Sequence, residues 1–300
     1  MSVPALPPLP PRSATELVDG AVQLVRPEFG YFLRIATIGA IPALIQAVVT
    51  LVVFPATTLD PSATIRRELT MLPLSLLTYA FATMQSGAIL TGALAQLRGD
   101  PLPSVWDAFV AAFKRILSLL GANLLLAVVL VALVVPVIAA VGFLFAASGV
   151  APAALLSGTG STVLAAVIAL VVLVMFAIVV LATFARSAVM TALVIAEGLG
   201  PVQALKRAHF LSQGSFFRLA GTYGLVTVVI LVVYLVIGGV ALAFRDQQAL
   251  VQALASVLLI PVVPILGGIM LLTYADLRVR REGADLDAEL DALTGLPANA

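Results

Sequence analysis

Long runs of Leu, Val, Ala and Ile alternate with short junctions, and the basic residues keep to every second junction. A helix needs about 20 mainly apolar residues to cross about 30 Å of hydrocarbon. Six stretches reach that length: residues 31–54, 71–97, 119–147, 162–185, 216–244 and 249–274. Arg12, Arg26 and Arg34 precede or open the first. Arg98, Lys114 and Arg115 separate the second from the third, Arg186, Lys206, Arg207 and Arg218 fall between the fourth and the start of the fifth, and Arg278, Arg280 and Arg281 follow the sixth. The other junctions hold only Arg66, Arg67 and Arg245. Basic residues in short loops stay on the cytoplasmic side, so this 13 to 3 split predicts cytoplasmic termini and an even number of spans. The expected fold class is an all-α polytopic transmembrane helical bundle.

Composition excludes the soluble alternative. The chain is 62% hydrophobic and 10% charged, whereas a soluble domain carries about 25% charged residues. A net charge of +1 gives no argument for a nucleic-acid partner. Cysteine is absent, which removes disulfides and thiolate chemistry, and the single His209 leaves no histidine cluster for a metal. No cofactor is expected. Residues 1–12 are Pro-rich, expected to be disordered, and lack the basic and apolar regions of a cleaved signal peptide. Residues 13–282 read as one membrane domain, and 283–300 as an acidic cytoplasmic tail carrying Asp285, Asp287, Glu289 and Asp291.

Amphipathic stretches precede the odd-numbered spans. Ser13-Ala-Thr-Glu16 has capping-box spacing, with Leu17, Val18, Ala21, Leu24 and Val25 at helical intervals before Pro27 bends or ends the helix. Residues 104–118 place Trp106, Phe109 and Phe113 beside Lys114 and Arg115, and residues 201–213 place Leu205, Phe210 and Leu211 beside Lys206 and Arg207. Basic amphipathic helices with aromatics suit the headgroup layer, where cations meet anionic lipid. The plainer reading makes them cytoplasmic ends of the spans that follow. The candidate headgroup contacts are Arg34, Lys114, Arg115, Lys206, Arg207, Arg218, Arg278, Arg280 and Arg281.

A threefold pattern emerges, each unit an interfacial helix, a span and a return span, beginning near residues 13, 104 and 201. The first and third units align with Val18 on Val202, Gly30 on Gly214, Phe32 on Phe216, Arg34 on Arg218 and Ala36 on Ala220. Gly30 and Gly214 are expected where the interfacial helix turns into the membrane.

Polar groups inside the apolar stretches are few. Pro42, Pro136, Pro261 and Pro264 each remove a backbone donor, shaping packing or marking a broken helix at a site. Gln46, Gln85, Gln96 and Asn123 read as interhelical glue. Residues 162–196 are apolar apart from Arg186, and a straight helix of that length would run about 52 Å. Either Arg186 snorkels to the interface and Glu197 ends the helix, or the segment folds back and both enter a polar pocket with Gln46, Gln85 and Asn123. His209 has no nucleophile, carboxylate or metal partner at a suggestive spacing, so it is placed at the lipid interface and catalysis is not expected.

Three segments resemble one bacterial family: Ser13-Ala-Thr-Glu-Leu-Val-Asp19 leading to Phe29, Ala196-Glu-Gly-Leu-Gly-Pro-Val-Gln-Ala-Leu-Lys-Arg207, and Tyr274-Ala-Asp-Leu-Arg-Val-Arg-Arg-Glu-Gly283. The chain resembles the membrane domain of the glycerophosphoryl diester phosphodiesterase family over residues 13–290. The resemblance implies a polytopic protein of a bacterial inner membrane. It does not bring phosphodiesterase chemistry, which needs a separate barrel with His and acidic groups that this chain lacks. The expected role is non-enzymatic, through anionic lipid or another membrane protein, and the alternative is transport of a small solute or lipid.

Overall fold

The computed structural model describes residues 12–53, 61–148, 189–243 and 248–283, with isolated positions between 174 and 185. Among the described residues the chain is helical throughout, without strands. The helices are α1 (Ala14–Val25), α2 (Phe29–Val53), α3 (Pro61–Arg98), α4 (Val105–Lys114), α5 (Ile116–Ser148), α6 (Val189–Ala196), α7 (Pro201–Ser212), α8 (Phe216–Ala243), α9 (Gln248–Leu259) and α10 (Val262–Glu282). Among the described residues four runs are long and apolar enough to cross a membrane: residues 14–50, 116–139, 216–239 and 262–282. The pair α6 and α7, bent by 119°, makes a fifth if taken as one span.

Local chemistry starts the short helices. Ser13 Oγ accepts the Glu16 N–H while the Glu16 carboxylate accepts the Ser13 N–H at 2.6 Å, the capping box expected from the sequence. Ser104 Oγ accepts the Asp107 N–H at 3.1 Å to open α4, and Pro201 occupies the first turn of α7, where its missing N–H costs nothing. Pro27 does not end the helical path: it sits in a 3-10 turn, Arg26–Glu28, flanked by helical backbone on both sides.

The boundaries differ from the expected spans in two places. The stretch 249–274 is divided at Ile260 and Pro261, because Pro261 cannot donate to the preceding turn; α9 ends at Leu259 and the apolar run of α10 reaches Glu282. Pro42, Pro73 and Pro136 instead lie within helices that continue through them. The stretch 71–97 lies inside α3, whose Ser75, Thr78, Thr83, Gln85 and Gln96 dilute its hydropathy, and α3 is not among the four runs. Most of the stretch 162–185, with Arg186, lies outside the described residues, as do residues 1–11 and the tail beyond Gly283.

The described helices carry part of the threefold pattern. Each unit pairs a short helix with a long one, α1 with α2, α4 with α5 and α7 with α8. The fourth and eighth positions of every short helix are buried: Leu17 and Ala21, Ala108 and Ala112, Ala204 and Ala208. The return helices α3, α6 and α10 end at Gly99, Gly198 and Gly283, with φ of 74°, 72° and 63°, a left-handed backbone that favours glycine after a helix. Seven positions before these glycines lie Gly92, Thr191 and Asp276, all buried. Short helices pack on return helices through close contacts. A Cβ at Gly268 would lie 3.2 Å from the Ala21 carbonyl, and one at Gly87 would lie 3.0 Å from the Ala112 Cβ. Thus α4 docks on α3 and α1 docks on the last helix, α10.

The register between units one and three differs from the expected one. Ser13 and Gly200, Val25 and Ser212, and Phe29 and Phe216 open or close matching helices 187 positions apart. Burial follows this spacing, pairing Phe32 with Leu219, Ile35 with Thr222, Ala36 with Tyr223 and Thr50 with Ile237. The expected spacing of 184 positions lies close to one helical turn away, so that apolar matches recur almost equally well. Gly214 does turn the chain, at φ 79°, but Gly30 is helical and faces open space. Tyr31, not Arg34, occupies the place of Arg218.

Candidate functional site

The end of α10 gathers most of the described ion pairs. Asp276 is buried, and an isolated carboxylate there would be costly. It accepts the Arg12 backbone N–H at 2.8 Å, faces Arg218 Nη2 at 2.8 Å, and pairs with Arg280 Nε at 3.2 Å, while Arg280 Nη2 donates to the Arg12 carbonyl at 3.3 Å. One carboxylate therefore ties the segment ahead of α1, the start of α8 and the last helix together.

A second cluster adjoins it along α10. Glu197, with a side chain 4% exposed, faces Arg207 Nε at 3.3 Å and accepts the Tyr274 hydroxyl at 2.8 Å. Arg207 also reaches Glu282 at 2.5 Å, and Arg278 Nε lies 3.1 Å from the same carboxylate. Arg115 donates to the Val194 carbonyl, capping the end of α6. Arg281 donates to Gln213 Oε1 at 2.9 Å and lies over the Phe210 ring. The segments 196–207 and 274–283 thus meet in space.

Among the candidate headgroup contacts, Arg115, Arg207, Arg218, Arg278, Arg280 and Arg281 carry these protein partners. Arg34, Lys114 and Lys206 are exposed and have no ion-pair partner among the described residues. His209 is exposed on α7. Among the described residues no three His, Asp or Glu side chains converge as a metal site.

No family model, curated protein or solved structure matches the chain.

The proposed polar pocket is not assembled by hydrogen bonds among its described members. Gln46 donates to Ser75 Oγ at 2.9 Å and Gln85 to the Ala36 carbonyl at 2.9 Å, both joining α2 to α3. Asn123 reaches Thr83 Oγ1 at 3.4 Å, joining α5 to α3. These bonds satisfy amides that would be costly to leave unpaired in an apolar surround. Glu197 bonds to none of them, and Arg186 lies outside the described residues.

Sequence reasoning missed Asp276 as a junction, along with Tyr274, Glu282 and Arg12. The signal was available for Asp276: a carboxylate closing an apolar helix, with Arg280 four positions on, implies a cationic surround.

Proposed function

We propose that the chain is a non-enzymatic integral protein of a bacterial cytoplasmic membrane, with six spans and both termini cytoplasmic. It works by holding anionic lipid, or another membrane protein, against its basic inner face. The proposed kinship is with the membrane domains that the 13–19, 196–207 and 274–283 motifs resemble. The observation that carries this reading is the contrast between two surfaces. Long faces of α5 and α8, including Leu124, Val128, Val131, Val228, Leu231, Val232 and Leu235, are exposed and uncharged, an apolar area far beyond what a soluble monomer shows. Basic groups gather at the short helices and the end of α10, where Lys114 and Lys206 remain without ion-pair partners among the described residues. Such cations attract anionic lipid by about 1 kcal/mol each.

The solute-transport alternative needs its polar groups in one water-filled cavity. The partners of Gln46, Gln85, Asn123 and Glu197 are interhelical and local, which favours the lipid or partner reading.

Native mass spectrometry of the detergent-purified protein tests it. Lys114→Glu with Lys206→Glu is expected to lower retained phosphatidylglycerol severalfold, because neither side chain is needed for an internal ion pair. Unchanged retention would count against the reading.

A further inference from the structure

We infer that the groove between α2 and the start of α4 binds one anionic glycerophospholipid, its phosphate on Arg34 and an acyl chain along the α2 face. The inference rests on the proposed membrane setting and names one place where anionic lipid is held. The groove measures about 650 Å³ and is lined by Gly30, Leu33, Arg34, Thr37, Ile38 and Val105. Gly30 leaves it open, since a Cβ there would meet nothing within 4 Å. The Thr37 hydroxyl is spent on the Leu33 carbonyl at 2.8 Å, so Arg34 is the charged group on an otherwise apolar lining.

Two features commit the groove to a lipid phosphate. Arg34 has no ion pair among the described residues, and a guanidinium matches a phosphate with two parallel hydrogen bonds. Beyond Arg34, α2 carries no charge as far as Val53, and Ile38, Ile41, Ile45, Val48 and Val52 are exposed along it. From Arg34 to Val53 is about 28 Å of helix, nearly one hydrocarbon thickness. Arg34 therefore stands where headgroups begin, with the apolar face running from it toward the opposite surface. Trp106, 75% exposed, follows the lining residue Val105 in α4, and an exposed amphipathic aromatic suits a headgroup border.

Trp106 is the chain's single tryptophan and follows the lining residue Val105 in α4, so its fluorescence reports on lipid close to this groove. The full chain in lipid nanodiscs is titrated with phosphatidylglycerol or phosphatidylcholine brominated on the acyl chain. Brominated phosphatidylglycerol is expected to quench Trp106 more strongly at equal mole fraction. Arg34→Gln should reduce that preference about fivefold, the contribution of one basic residue at an anionic surface. Arg34→Lys, which keeps the charge and guards against a misfolded variant, should retain most of it. Equal quenching by the two lipids, or a preference that survives Arg34→Gln, overturns the inference. Loss of the preference on adding millimolar inorganic phosphate overturns the commitment to a lipid. If native mass spectrometry still finds phosphatidylglycerol on the wild type while Trp106 shows no preference, the groove fails and the broader reading stands.

Discussion

Arg218 and Asp276 face one another at 2.8 Å, and the same carboxylate takes the backbone N–H of Arg12. Three distant segments converge on one buried acid. Removing one partner of a buried pair leaves the other charge uncompensated, at about 3–5 kcal/mol, reduced here because Arg218 and Arg280 keep some contact with solvent. Asp276→Asn is therefore expected to cost about 3 kcal/mol in stability. Thermal unfolding in detergent should show a lowered midpoint, and a double-mutant cycle with Arg218→Gln should give clear coupling. Additive effects would separate the two residues.

The Glu197 cluster predicts a graded series. Tyr274→Phe removes a single hydroxyl bond to Glu197 and should cost about 1 kcal/mol. Arg207→Lys should cost more, since one ammonium cannot serve Glu197 and Glu282 in the same geometry. The order of the two unfolding midpoints checks this, and a milder Arg207→Lys would contradict it.

Glycine packing gives a paired test. At Gly268 a Cβ would lie 3.2 Å from the Ala21 carbonyl, a backbone atom that cannot swing away, so Gly268→Ala is expected to destabilise by about 1–3 kcal/mol. Gly30 is helical with open space around its missing Cβ. Gly30→Ala should be neutral or stabilising by up to about 1 kcal/mol. Equal effects at the two positions would mean that α1 does not dock on α10 as described.

The interhelical amide at Gln85 should matter little. Its bond to the Ala36 carbonyl is of a kind that averages about 0.6 kcal/mol between membrane helices. Gln85→Leu is expected to leave the unfolding midpoint within a few degrees of the wild type. A large loss would show that the side chain does more than join α2 to α3.

Much of this architecture was legible in residues that act locally. The Ser13 and Glu16 capping box needs only neighbours three positions apart, and the apolar stretches that became α2, α5 and α8 were long enough to stand out. The threefold pattern was visible, but its register was not, because shifting an apolar helix by nearly one turn exchanges one set of Leu, Val and Ala for another. Capping glycines at Gly99, Gly198 and Gly283 would have fixed the return helices, since a left-handed backbone after a helix has no near-equivalent one turn away. The site was harder to read. Arg207, Arg218 and Arg280 look in sequence like solvated cations, and only the fold brings Glu197, Asp276 and Glu282 against them.

The central claim is that the basic junctions share one face of a membrane. The chain has no native cysteine, so single replacements can be labelled without background. Lys114→Cys, Lys206→Cys and Arg66→Cys variants are treated in intact cells with a membrane-impermeant maleimide. The account predicts that Arg66→Cys is labelled from outside, and that Lys114→Cys and Lys206→Cys react only after permeabilisation. Labelling of Lys114→Cys or Lys206→Cys in intact cells, or protection of Arg66→Cys until the membrane is opened, would contradict it.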